Sequence, residues 1–89
     1  MEKIIVYSTD WCAYCKMTME YLNRKHMPVI EKNIEEDEAA KEELLKKMNG
    51  NFSGVPVIDI CGDMILGFDR LKIDASIKKH AKQLGVDVE

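Results

Sequence analysis

Two short β-branched runs, KIIVY at 3–7 and PVIEKNI at 28–34, flank a stretch that is too long for a hairpin turn and carries a helical rhythm. A helix inserted between two strands of one sheet forces those strands to run parallel, because a tight turn cannot join them. That constraint excludes an all-β chain and an all-α chain from the outset. Cys15, Met19, Leu22 and His26 fall on one face of the intervening helix, Thr9 or Asp10 can cap its first turn, and Pro28 marks its exit.

The second half is organised differently. The run EEDEAAKEELLKKMNG at 35–50 reads as a helix with acids in its first turn, lysines in its last and Gly50 as a left-handed stop. Its Asp37/Lys41, Glu42/Lys46 and Glu43/Lys47 pairs are worth only about 0.2–0.5 kcal/mol each and read as a solvated face. VPVIDI and DMILGF are separated by Cys61-Gly62 alone, so they form an antiparallel hairpin. From Asp69 to Leu84 a last helix turns Ile73, Ile77, Ala81 and Leu84 inward, and Gly85 ends it. The order β-α-β-α-β-β-α predicts an α/β fold with a four-stranded mixed sheet flanked by three helices.

Composition narrows the function classes. With 89 residues and no Pro/Gly/Ser-rich linker or repeat, one domain over 1–89 is expected. No apolar run approaches the roughly 20 residues that span a bilayer, and MEKIIVYST lacks the apolar region and cleavage site of a secretory leader. These features exclude a membrane protein and point to the cytoplasm, where three cysteines do not build a secreted disulfide framework. A pI near 5.4 with no basic stripe argues against nucleic acid.

Within TDWCAYCKM at 9–17, Cys12 stands where the first strand gives way to the first helix. Its sulfur there meets unbonded N–H groups and the positive end of the helix dipole. A free cysteine has a pKa of about 8.5, and helix N-termini, nearby cations and the C-x-x-C arrangement lower it to about 3.5–7.5. Lys16 supplies such a cation one turn on, and Cys15 is close enough to close a disulfide. The arrangement assigns attack to the outer thiolate of Cys12 and resolution to the deeper Cys15.

A metal reading is poorer, because a structural zinc site takes four ligands and only Cys61, His26 and His80 remain beyond the pair. The histidines sit at helix C-termini as dipole partners or surface residues, Cys61 is a small turn residue, and no metal is expected. A structural disulfide at 12 and 15 would close too short a loop to constrain the unfolded chain much. Met17, Met19 and Met27 read as core or edge filler.

In sum these residues resemble the glutaredoxin family of the thioredoxin fold over nearly the whole chain. CAYC at 12–15 is similar to the family's CPYC, GVPV at 54–57 to its TVP segment, and ILGFDRL at 65–71 to its glycine-aspartate segment. The resemblance implies a cis Pro56 beside the disulfide, exposing the backbone of Val55 to pair with a thiol substrate as an added strand would. It implies a glutathione site whose γ-glutamyl end lies along Gly67, Phe68 and Asp69, although Asp69 also suits the N-cap of the last helix. Trp11 and Tyr14 are implied as contact surface for substrate or partner. Ala13 replaces the motif proline, Thr9 a frequent lysine, Leu66 a glycine and Arg70 an acid; Lys47 could replace the lost cation for the glycyl carboxylate of glutathione.

The implied activity is a monomeric thiol-disulfide oxidoreductase acting on protein disulfides or glutathione mixed disulfides, with glutathione as reducing co-substrate and no bound cofactor. Two alternatives stay open: a glutaredoxin-like donor recycled by thioredoxin reductase, and a carrier holding a [2Fe–2S] cluster through Cys12 and glutathione.

Overall fold

The computed structural model describes residues 3–50 and 54–85. The elements are β1 (Ile4–Ser8), α1 (Ala13–Arg24), β2 (Val29–Asn33), α2 (Glu38–Lys47), β3 (Val57–Ile60), β4 (Asp63–Leu66), α3 (Arg70–Lys79) and α4 (Ala81–Leu84). The strands form one sheet in the order β2-β1-β3-β4. β1 runs parallel to β2, from Ile4 opposite Val29 to Ser8 opposite Asn33. β1 with β3, and β3 with β4, are antiparallel. The expected mixed sheet is present.

Period-two alternation in β1 divides the core between the two sheet faces. Ile4 and Val6 join Ile58, Ile60 and Ile65 on one face, where Leu22 of α1, Ile73 and Ile77 of α3 and Leu84 of α4 cover them. Tyr7 joins Val57 on the other face, against Ile34 and against Ala40 and Leu44 of α2. Burying each such aliphatic side chain contributes about 1.5–3 kcal/mol, so a short sheet covered on both sides can offset the cost of ordering its backbone.

Three boundaries differ from expectation. His26 does not continue the apolar face of α1: at φ 58° it turns the chain left-handed, its N–H bonded to Asn23 O and that of Met27 to Leu22 O. These bonds satisfy the last carbonyls of α1, and a histidine holds a place usually taken by glycine. At the end of α2 the left-handed stop begins at Asn49, φ 54°, one residue before Gly50. The last helix is broken, giving four helices among the described residues: His80 leaves helical geometry at φ −108°, ψ 20°. Its ring explains the break, with Nε2 2.8 Å from Asp63 Oδ2 and Nδ1 2.6 Å from Gln83 Oε1. Gly85 ends α4 left-handed at φ 70°, as expected.

The face of α2 read as solvated carries a polar chain instead. The Tyr7 hydroxyl donates to Glu43, whose Oε2 also lies 3.0 Å from Lys32 Nζ. Lys47 Nζ lies 2.7 Å from the Tyr7 oxygen and 2.5 Å from Asp59 Oδ2, and Asp59 Oδ1 accepts the Gly62 N–H at 2.9 Å. Burial first, and the Glu43 carboxylate second, push the Tyr7 pKa up to about 12, so its proton stays in place. The bond from Tyr7, then that from Lys32, holds Glu43 below the usual carboxylate range. Burial opposes the charge on Lys47, but its bonds to Asp59 and Tyr7 outweigh that and raise its pKa. The chain ties β2, β1 and β3 to α2.

Two outcomes are expected. The Asp59 side chain is only 10% exposed, so Lys47→Met strands its charge and should cost about 2–3 kcal/mol in urea unfolding, with Asp59→Asn in the same chain restoring part of it. A loss under about 0.5 kcal/mol would make the network idle.

The second concerns pH. Hydrogen bonds to Gln83, then Asp63, raise the His80 pKa, so its stabilisation is full below the ordinary 6.5 and lost as pH climbs through the raised folded value. Asp63 runs the other way: His80, then Ser76, lower its pKa, so its contribution is present above the ordinary 3.8 and lost as pH falls through the depressed value. Thermal melts of the wild type and His80→Gln should differ most at about pH 5 and converge by about pH 9. A gap that does not change with pH would assign the effect to packing.

Candidate active site

Strand register brings three distant segments to one end of the sheet. Tyr7, next to the end of β1, lies opposite Val57 at the start of β3, and Val57 lies opposite Leu66 at the end of β4. The chain therefore leaves β1 into residues 9–12, enters β3 from 54–56 and leaves β4 into 67–69 beside one another. The cysteine motif, Pro56 and the glycine-aspartate segment share one edge.

The loop carrying the motif is anchored to the end of β2. Asn33 Nδ2 donates to Asp10 Oδ1 at 2.7 Å, the Asp10 N–H donates to Glu35 Oε1 at 2.9 Å, and the Ile34 N–H donates to Ser8 O at 2.9 Å. These bonds explain why neither Thr9 nor Asp10 caps α1: the helix starts only at Ala13, and Asp10 is already bound by β2. The cap is Cys12 itself, in extended geometry, its Sγ accepting the Cys15 N–H at 3.0 Å while Lys16 N–H donates to Cys12 O at 3.3 Å. The sulfur thus meets an N–H of the first turn, as its place at the strand–helix junction implies, and a thiol fills the position usually held by serine or aspartate.

Cys12 and Cys15 are joined in a disulfide with Cα atoms 5.1 Å apart. Cys15 is 1% exposed and Cys12 9%. Cys12 is thus the outer of the two, as expected, but more enclosed than a freely exposed thiol, because its sulfur turns toward Cys15. Trp11 on its outer flank is 89% exposed, Tyr14 is exposed, and Lys16 is exposed in the first turn.

Across the edge, the Val55–Pro56 peptide bond is cis and Pro56 is fully buried. Pro56 O accepts the Gly67 N–H at 2.8 Å, which fastens the turn after β4 to the segment before β3. Gly67 has φ 80°, a conformation that a side chain would strain. Val55 lies outside β3 and makes no backbone hydrogen bond to another described residue. Asp69 caps α3, its Oδ1 accepting the Lys72 N–H at 3.2 Å. Phe68 meets the Tyr21 ring edge-on, with centroids 5.6 Å apart.

Other candidates lie elsewhere. Lys47 is engaged by Asp59 and Tyr7 on the α2 face, which removes it as a ready partner for a glycyl carboxylate. Cys61 sits in the β3–β4 turn with φ 51°, at the opposite end of the sheet, and His80 is bonded to Asp63. Among the described residues, no three His, Cys, Asp or Glu side chains gather closely enough to hold a metal ion. What the sequence reading missed is that Met17, Leu66 and Leu71 extend the exposed apolar surface of Trp11 and Tyr14 into a rim. Among the described residues the exposed large hydrophobics are Trp11, Tyr14, Met17, Leu66 and Leu71, and each lies within or flanks either the cysteine motif or the 67–69 segment. Clustering of exposed apolar area at one edge marks an interaction surface.

With this geometry in view, the glutaredoxin family profile matches residues 4–65. A glutaredoxin-like 8.6 kDa protein from the rubredoxin operon of Clostridium pasteurianum is 41% identical over 76 residues, covering 85% of this chain and 99% of that protein. A solved thioredoxin-like protein superposes with a TM-score of 0.75 at 28% identity, covering 83% of this chain and 99% of its own. The NrdH-redoxin of Escherichia coli shares the fold at a TM-score of 0.71 and 20% identity, over 83% of this chain and 93% of its own. The mixed sheet with its helices is a thioredoxin-like fold, and the chain, with its C-x-x-C pair at the head of α1, belongs to the glutaredoxin family.

Proposed function

We propose that this protein is a thiol-disulfide oxidoreductase that reduces protein disulfides through Cys12 and Cys15. In the reduced form the Cys12 thiolate attacks one sulfur of a substrate disulfide; that S–S bond breaks, the far sulfur leaves and takes up a proton, and a mixed disulfide forms on Cys12. Cys15 then loses its proton and attacks the Cys12 sulfur, releasing the second substrate thiol and closing Cys12–Cys15. Two electrons pass from the protein to the substrate.

The observation that carries this reading is the Cys15 N–H directed at Cys12 Sγ from 3.0 Å at the first turn of α1. A fixed donor at a helix N-terminus stabilises negative charge on the sulfur that must attack and later leave. Val55 supports it, since its unengaged backbone groups can pair with a substrate strand beside the attacked bond. Lys16 keeps a cation near the site, and Trp11 and Tyr14 give the partner an apolar surface.

A second question is what restores the dithiol. Glutathione, the co-substrate implied by the family, would lay its γ-glutamyl end along Gly67, Phe68 and Asp69. One observation favours thioredoxin reductase instead: Lys47 is bound to Asp59 and Tyr7, and Thr9 and Arg70 replace the lysine and the acid that would hold the rest of the tripeptide. Recycling measured with glutathione plus its reductase, and separately with thioredoxin reductase, is expected to run faster by the second route. Faster turnover with glutathione would assign it the role.

For the thiols themselves, Cys12→Ser is expected to reduce a protein disulfide no faster than background. Cys15→Ser should hold the substrate on Cys12 as a mixed disulfide that mass spectrometry detects. Intact activity in Cys12→Ser would refute the assignment.

A further inference from the structure

The segment that delivers Cys12 to the head of α1 is held from outside more firmly than by itself. Residues 9–12 form a turn whose own closing bond, from the Cys12 N–H to Thr9 O, is 3.4 Å long, and the bond from the Lys16 N–H to Cys12 O is 3.3 Å. Both exceed the roughly 2.7–3.2 Å of an ordinary N–H···O bond. Shorter bonds lie just before Cys12. Ser8 O accepts the Ile34 N–H at 2.9 Å, Asp10 Oδ1 accepts from Asn33 Nδ2 at 2.7 Å, and the Asp10 N–H donates to Glu35 Oε1 at 2.9 Å.

Asn33 organises both grips on Asp10. Its Nδ2 makes one directly. Its Oδ1 accepts the N–H groups of Glu35 at 2.8 Å and Glu36 at 3.3 Å, an Asx turn that brings the Glu35 carboxylate back to the Asp10 N–H. This takes a donor and an acceptor on one short stem: aspartate would set a second carboxylate against Asp10, and alanine would offer neither group. The partners also fix the orientation of the amide, since turning it over would face its NH2 to two N–H donors and its oxygen to a carboxylate. Asn33 is half-buried at the end of β2, where it lies opposite Ser8, so the side chain starts from a fixed base.

We propose that Asn33 is a positioning residue for the attacking sulfur. By gripping Asp10 on its side chain and, through Glu35, on its backbone, it keeps Cys12 in the extended geometry, φ −92° and ψ 99°, from which Sγ meets the Cys15 N–H. The inference rests on Cys12 acting as the attacking thiolate, as argued above. Without the grip the turn relaxes about its long bonds, Sγ spends less time opposite the N–H, and the pKa of the thiol rises toward that of a free cysteine. Charge alone predicts something else. Asp10 and Glu35 are the acids bonded within this clamp, Lys16 is the cation in the first turn of α1, and Asp69 caps α3 across the edge. Asn33→Ala alters none of these charges, and loss of the Asp10 carboxylate by itself would favour the thiolate.

The test is the pH profile of single-turnover reduction of the uncharged disulfide of mercaptoethanol by pre-reduced protein, whose midpoint reports the attacking thiol. Asn33→Ala should raise the midpoint by about 0.5–1 pH unit, which lowers the thiolate fraction at acidic pH about 3- to 10-fold. Its plateau at high pH should be no lower than that of the wild type, because a more basic thiolate is the better nucleophile. Two further variants separate hydrogen bond from charge: Asp10→Asn keeps an oxygen for Asn33 Nδ2, Asp10→Ala keeps none, and both remove the same carboxylate. The alanine variant should titrate about 0.5 pH unit above the asparagine variant. Asp10 is exposed and lies outside β1 and α1, so this pair decides the matter even if Asn33→Ala fails to fold. A folded Asn33→Ala with the wild-type midpoint, or equal midpoints in the two Asp10 variants, would overturn the positioning role and leave the redox reading standing. Wild-type protein that fails to reduce the probe would overturn the redox reading and this inference with it.

Discussion

Pairing of β1 on both of its edges is the constraint on which the site depends. β1 is hydrogen-bonded to β2 on one side and β3 on the other, and Ile4, Val6 and Tyr7 are completely buried. Because β2 runs parallel and β3 antiparallel, the end of β1 meets the end of one neighbour and the beginning of the other. Asn33 at the end of the first neighbour and Glu35 just beyond it hold the loop before Cys12; Pro56 lies immediately before the second. A slip of one residue in either register would turn every β1 side chain to the wrong face and separate the motif from Pro56.

The polar chain on the α2 face reinforces that register. Asp59 lies in an otherwise apolar strand, and its charge is tolerated because Lys47 reaches it from α2. Tyr7, whose backbone is in β1, is bonded to the same lysine and to Glu43, so one helix clamps two adjacent strands directly behind the site. Lys47 consequently belongs to the scaffold, and the electron donor must be recognised by other groups.

The sequence carried the element order up to the break at His80, the division of a mixed sheet into a parallel pair and a hairpin, and the location of the cysteine pair, because each follows from local patterns: alternation in KIIVY, helical spacing after Cys12, a two-residue turn at Cys61-Gly62. It also carried the N-cap role of Asp69. It failed where long-range contacts override a local rule. Glu43 and Lys47 match an exposed i,i+4 pair until Tyr7 and Asp59, which come from other strands, are placed beneath them. The break at His80 depends on Asp63, in a different element, and the capping role of Cys12 depends on β2 having already bound Asp10. Asp59 within VPVIDI was the one available signal for the network, since an acid in a buried strand requires a partner. The apolar rim had a weaker signal, because Met17, Leu66 and Leu71 look like ordinary core residues until the fold leaves them outside.

These observations join into one chemical arrangement: a sulfur placed at the head of a helix, a second sulfur buried beneath it, and exposed apolar side chains flanking the pair. The most direct test of its central claim is the pH dependence of alkylation at each cysteine in the fully reduced protein, read by peptide mapping. Cys12 is predicted to react first, with a midpoint below the 8.5 or so of a free cysteine, while Cys15 stays protected until the protein unfolds. Equal rates at the two positions, or faster modification of Cys15, would contradict the division of roles from which the mechanism is built.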